Sequence, residues 1–355
     1  MNMTPSGSNP AQIRPPQLIQ SLVGGFNAVA SHIYLILLPV ALDLLLWFGP
    51  HLRVKELVQP VMVDLVQIVR SSSAPENRAL WDGMENLWID FLEGFNLTSL
   101  LSTFPVGVPA LMGAQSPLQT PVGIPPMIEA TSAGQILLGW LALTLAGLAL
   151  GTLYFAGIAR CSAQPTKGID CDSNLPGREP GGQMPPFRAR VLVWQSVQVL
   201  LLLLVLVAIG LVLLIPTVMM TSFLFLISPL LSQFVMLLIS FSAVWFLVPL
   251  IFSPHGIFIC GLSVFNAMLH STRVVRFALP GTGMFLIIAL VIYQGLSVLW
   301  RIPPDNSWMA LVGILGHAFI STGLLAASFV YYRKGLAYVQ SLRKLSFSNS
   351  QNVSS

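Results

Sequence analysis

Apolar residues run through this chain in six long blocks, at about 24–49, 134–158, 191–215, 223–252, 278–300 and 308–332. Each suffices for the roughly 20 helical residues that cross about 30 Å of hydrocarbon. From Val191 to Thr272, 82 consecutive residues include no Lys, Arg, Asp or Glu, more uncharged chain than a soluble domain can cover. The pattern predicts an all-α fold, a polytopic helical membrane bundle of six spans. Pro216 is expected to break the helix before the fourth span, which itself contains Pro229. The first block exceeds the roughly 7–15 apolar residues of a signal-peptide core, so it reads as a retained span.

The blocks divide the chain into a polar N-terminal tail (1–23), a membrane domain (24–332) and a partly disordered C-terminal tail (333–355). The membrane domain carries an insertion at 50–133 and a Gly/Pro-rich loop at 159–190. In the insertion, Leu57, Val61, Leu65 and Ile68 recur at helical spacing, as do Trp81, Met84, Trp88, Phe91 and Phe95. Two amphipathic helices follow, at 52–70 and 79–96, lying on the membrane or capping the bundle. Residues 94–128 are charge-free, but Pro105, Pro109, Pro117, Pro121, Pro125 and Pro126 forbid a continuous helix. Such backbone must be satisfied at the interface, in water or against protein. Over 255–276, Ser263, Asn266, His270 and Arg273 share one helical face, and Phe258, Leu262, Phe265 and Leu269 another. That predicts an interfacial helix with His270, Arg273 and Arg276 at headgroup level.

Charge orients this layout. With the N-terminus inside, twelve of the 17 Lys and Arg fall on inside segments, and nine of the 13 acids fall outside. This positive-inside bias places both termini in the cytoplasm and the protein, multi-pass, in the cell membrane. The composition agrees: 55% hydrophobic, 8% charged, mean hydropathy +0.78, against about 25% charged in soluble domains. A net charge of +4 is then explained by basic loops. No basic run interleaves with aromatics, so nucleic acid is not an expected partner. The expected partners are the lipid bilayer and other membrane proteins or a second copy of the chain.

Candidate chemistry is sparse. Asp43 is the one acid inside a predicted span, and an ionisable group there is a functional candidate. His32 lies eleven residues earlier on the same face, about 16 Å away at 1.5 Å per residue, with a kink expected at Pro39 between them. His317 sits in the sixth span near Gly313, Gly316 and Ser321. Asp43, His32 and His317 thus form the candidate intramembrane polar site, set against an interfacial or interhelical role for each. Gln195, Gln198, Gln233 and Gln294 line a polar cavity or bond neighbouring helices. Gly147 and Gly151 make a small-xxx-small spacing for helix packing, within the chain or between copies. Cys161, Cys171 and Cys260 form no CxxC and read as free thiols. No Walker A loop, HExxH, GxSxG or GxGxxG occurs. No catalytic residue, metal or cofactor is therefore expected. The expected function is a non-enzymatic accessory or scaffold component of a membrane assembly. The alternative is a small-solute or ion transporter with a polar cavity near Asp43 and His317.

The run WFLVPLIFSPHGIFICGLSVFNAMLHSTRVVR, residues 245–276, resembles a segment of bacterial six-span membrane families of unknown function. It is also similar to the membrane domain found with some glycerophosphodiester phosphodiesterases. Pro249, Pro254, Ala267, Ser271, Arg273 and Arg276 carry the likeness. The acid that usually follows the proline is replaced here by His255-Gly256, and the insertion at 50–133 departs from the pattern. The resemblance implies a helical membrane module and transfers no catalytic residue.

Overall fold

The structure, a computed structural model, describes residues 15–72, 78–102, 105–113, 117–162 and 189–353. It is an all-α bundle. Five helical segments are long and apolar enough to cross a membrane, or six with a first, bent pair. That pair is α1 (Leu18–Ser31) and, after a 3-10 turn (Ile33–Ile36), α2 (Leu37–Phe48).

The bundle is built around the last helix, α11 (Ala310–Val353). α1 packs antiparallel along it: Lys334 Nζ lies 3.5 Å from Gln20 Oε1, Gly24 faces Val330, and Phe26 sits 5.9 Å from Phe319. A Cβ on Gly25 would collide with the Ala327 backbone, so glycine sets this close approach. The chain then bends by 92° at His32. Pro39 lies in the first turn of α2, where its missing N–H needs no partner. The break therefore falls upstream of the proline expected to cause it. α2 ends at the opposite end of α11: Trp47 Nε1 donates to the Asp305 carbonyl at 2.9 Å, and the Trp47 and Phe48 rings meet Trp308. α1 thus lies beside α11 as far as Lys334, and α2 ends against the loop that precedes α11, so the bent pair reaches both ends of this part of the bundle. The end holding Trp47 is the cap end, and the end holding Gln20 and Lys334 is the tail end.

α5 (Ala133–Cys161) returns toward the tail end, where Tyr154 and Thr322 hydroxyls meet at 2.8 Å. α6 (Ala189–Ile227) and α7 (Pro229–Leu247) form a hairpin. α6 buries only Gln195, Gln198, Val199 and Leu202, all in its first turns, and α7 only Ser232. The helix passes straight through Pro216 and turns instead at Ser228, correcting the expected break. Beside the proline, the Thr217 and Thr221 hydroxyls donate to the carbonyls of Leu213 and Thr217 at 2.6 and 2.8 Å. A 3-10 turn (Val248–Leu250) leads to the wholly buried α8 (Ser253–Cys260) and to α9 (Val264–Phe277) at the tail end. α10 (Leu279–Trp300) climbs back to the cap end. α11 continues as helix to Val353, past the point where disorder is expected.

Within the insertion, α3 (Lys55–Ser72) and α4 (Arg78–Gly94) pair antiparallel. Lys55–Glu93 (2.7 Å) and Arg70–Asp82 (3.1 Å) join them at either end. Met62, Val66, Trp88 and Leu92 lie between them, whereas Val61, Leu65, Ile68, Met84 and Phe91 stay exposed. Two short strands absent from the sequence expectation, β1 (His51–Arg53) and β2 (Met127–Glu129), pair in parallel and clamp the ends of the insertion. The proline segment is satisfied against protein: Val106 and Val108 are fully buried, and the Val106 carbonyl abuts Gly151.

Candidate functional site

A cluster of ionisable groups lies at the cap end, where α2, α10, α11 and the proline segment converge. Asp43 is fully buried. Its Oδ1 accepts the Met112 N–H at 2.8 Å, and its Oδ2 has no hydrogen-bond partner among the described residues. Arg301, the first residue beyond α10, donates from Nη2 to the Leu111 carbonyl at 3.2 Å. One short stretch of the insertion is therefore held by an acid from α2 and a base from α10. The N–H and C=O involved have no ladder partner in this irregular segment, so side chains supply one.

The Arg301 charge acts on Asp43, Tyr293, Asp305 and His317 alike. It forms an ion pair with neither carboxylate; the ion pairs among the described residues are the two in the α3–α4 hairpin. Burial pushes the Asp305 carboxyl above its ordinary value, and Arg301 draws it part of the way back. A cavity of about 180 Å³ opens here, lined by Leu111, Met112, Trp300, Arg301, Pro303, Pro304, Asp305 and Ala310.

His317 joins this cluster from α11. It is 2% exposed, with its ring 5.6 Å from that of Tyr293 and Nδ1 unbonded among the described residues. No hydrogen bond connects it to Asp43, so a direct relay between the two is not formed. His32 lies apart at the bend, its Nδ1–H donating to the Ala28 carbonyl at 3.0 Å. Of the three candidate residues, two come together. Sequence reasoning missed Arg301, Tyr293 and Asp305. The available signal was that Arg301 is the only base between the last two spans, where it entered only as a topology charge.

Elsewhere, polar side chains serve backbone. Gln198 Oε1 accepts the Val264 N–H at 3.0 Å, capping α9. Ser271 Oγ accepts from Phe252 N and donates to the Pro249 carbonyl. Asn96, in an Asn-Leu-Thr triplet, is buried with Oδ1 accepting from Leu52 N and Thr98 N, which leaves it no room for a glycan. Buried His255 pairs with Ser328 at 2.7 Å. Gly147 and Gly151 are buried, and Gly151 packs on the proline segment, not on a neighbouring span. On α9 the buried face is Val264, Ala267, Ser271, Val274 and Val275. Arg273 and Arg276 are exposed beside Phe265 and Leu269, and His270 is half-buried. The basic residues thus share a side with the apolar pair instead of opposing it. The Cys161 thiol is free and lies 3.2 Å from the Tyr34 hydroxyl, by a second, largely apolar cavity of about 330 Å³. Cys260 is disulfide-bonded, contrary to the free thiol expected. Among the described residues no group of three or more His, Cys, Asp or Glu is placed to hold a metal ion.

Compared with protein-family profiles, with curated proteins and with solved structures, the chain matches none of them.

Proposed function

We propose that this membrane protein is a non-enzymatic accessory or scaffold component of a cell-membrane assembly, with six spans and both termini cytoplasmic. The observation that carries this reading is how the bundle uses its polar groups. Asp43, Gln198, Ser271 and Asn96 each hold backbone of a loop or helix end, which builds a frame. The α6–α7 hairpin projects from that frame with Phe223, Leu226, Phe234 and Phe241 exposed, a surface for lipid or another membrane helix. Photo-crosslinkers at Phe223 and Leu226 in intact membranes test it. A discrete protein adduct, lost when the probe moves to the buried Phe329, is expected; adducts with lipid alone contradict the scaffold role. The charge bias supports the cytoplasmic placement of the tail end, whereas the disulfide at Cys260 there favours an oxidising compartment. An impermeant thiol reagent on intact cells, applied after mild reduction, decides between them.

One observation favours the second reading, a small-solute or ion transporter. The cavity at Arg301 adjoins Asp43 through Met112 and lies in the same cluster as His317. Flux lost in Asp43→Asn with folded protein retained is the outcome that reading requires.

A further inference from the structure

Arg301 and Asp305 line the same cavity of about 180 Å³ with opposite charges, yet do not close into an ion pair. The loop between them is held: Trp47 Nε1 takes the Asp305 carbonyl, Ser307 N bonds the Pro304 carbonyl, and Arg301 N bonds the Val298 carbonyl. Pro303 and Pro304 stiffen it further. Arg301 gives one donor to Leu111 and keeps the others of its five-donor fork. The exposed Asp305 carboxylate is in neither of the ion pairs among the described residues, and the Trp300 indole N–H is buried and unbonded among them. Arg301 and Asp305 are both exposed, so a cation and an anion on a held loop border one small cleft with apolar walls, a dipolar receptor. A molecule carrying both charges adds Coulombic attraction at each end to the hydrogen bonds that water would make there.

We propose that this cap-end cavity binds a small zwitterion, its anionic group on the Arg301 guanidinium and its ammonium on the Asp305 carboxylate. The volume suits a short free amino acid; an ethanolamine-phosphate headgroup carries the same two charges. The site goes beyond the scaffold reading and rests on the cavity of the second. Binding is measured instead of flux, so a protein that binds without transporting separates the two.

The test is calorimetry on the full chain in nanodiscs of anionic lipid only, with L-alanine and glycerophosphoethanolamine as probes and acetate and methylammonium as half-ligands. A zwitterion should bind at least about tenfold more tightly than either half-ligand, a difference of roughly 1.4 kcal/mol. Which zwitterion does so identifies the source as solute or lipid. Asp305→Asn should abolish zwitterion binding while the melting temperature holds, because that carboxylate supports no other group. Arg301→Gln should abolish it as well, and Arg301→Lys should retain part of it. The proposal is overturned if neither zwitterion binds at millimolar concentration, if the half-ligands bind as well as the whole, or if Asp305→Asn binds like the unsubstituted chain.

Discussion

α11 and the α6–α7 hairpin are both long apolar segments, but they bury very different shares of themselves. In the most apolar window of α11, 61% of residues are buried, against 11% for α6 and none for the segment beginning with α7. Burial does not follow apolarity: the buried α11 has a mean hydropathy of 1.8, against 3.3 for α6 and 2.5 for the segment beginning with α7. Lipid tails are as apolar as leucine and give helices little reason to associate. Small residues separate the two segments instead. α11 offers Gly316 to the Trp300 ring, Gly323 to Phe26 and Gly335 to Val274, while Ala327 takes Gly25 of α1. The middle of α6 has one glycine, Gly210, and nothing approaches it. The packed half is thus a frame of close contacts and bonded polar groups, and the hairpin is an exposed apolar attachment to it.

The largest effect should come from filling the two kinds of glycine. Gly25→Leu forces a side chain into the Ala327 backbone and should destabilise the bundle by about 3 kcal/mol or more, seen as lost detergent-resistant folded protein. Gly210→Leu should leave the melting temperature unchanged. Equal losses would erase the distinction. Next comes the bonded acid at the cap end. Asp43→Leu leaves the buried Met112 N–H without an acceptor and should cost about 1–3 kcal/mol. Asp43→Asn keeps an acceptor and should melt close to the unsubstituted chain. If both melt alike, the acid does not hold the insertion.

A smaller effect concerns pH. His51 begins β1, its Nε2–H donating to the Leu46 carbonyl at 3.0 Å, and burial lowers its pKa from the ordinary 6.5. The unfolded chain therefore takes up the proton first as pH falls. The stability that neutral His51 contributes is present above about pH 6.5 and is lost below it. Hydrogen-exchange protection factors at the β1–β2 pair, corrected for the intrinsic slowing of amide exchange at lower pH, should fall from pH 7.5 to 5.5 in the unsubstituted chain and change less in His51→Gln. Exchange in the α6–α7 hairpin should show no such difference between the two proteins.

The spans were legible in the sequence because a run of some 20 uncharged residues admits few other structures. The bends were not. Pro216 and Pro39 are the obvious breakers, yet α6 continues through the first and a helix start accommodates the second. The amphipathic stripes on α3 and α4 were readable as helical periodicity. Which face packs was not, since Met62 and Val66 are as apolar as Val61 and Leu65. At the candidate site, the rarity of ionisable groups in spans pointed to Asp43 and His317. Arg301 and Asp305 stayed hidden because a charged loop residue is ordinary until the fold places it over a cavity.

If α1 and α2 together make one crossing beside α11, Gln20 and Lys334 share one face and the α3–α4 hairpin lies at the other. Single cysteines at Gln20, Gly83 and Lys334, in a chain with Cys161, Cys171 and Cys260 replaced by serine, test it through an impermeant maleimide applied to sealed vesicles of known orientation. The account predicts that Gln20→Cys and Lys334→Cys react from one face and Gly83→Cys from the other. Reaction of Gln20→Cys from the same face as Gly83→Cys would make the first segment re-entrant and contradict the fold.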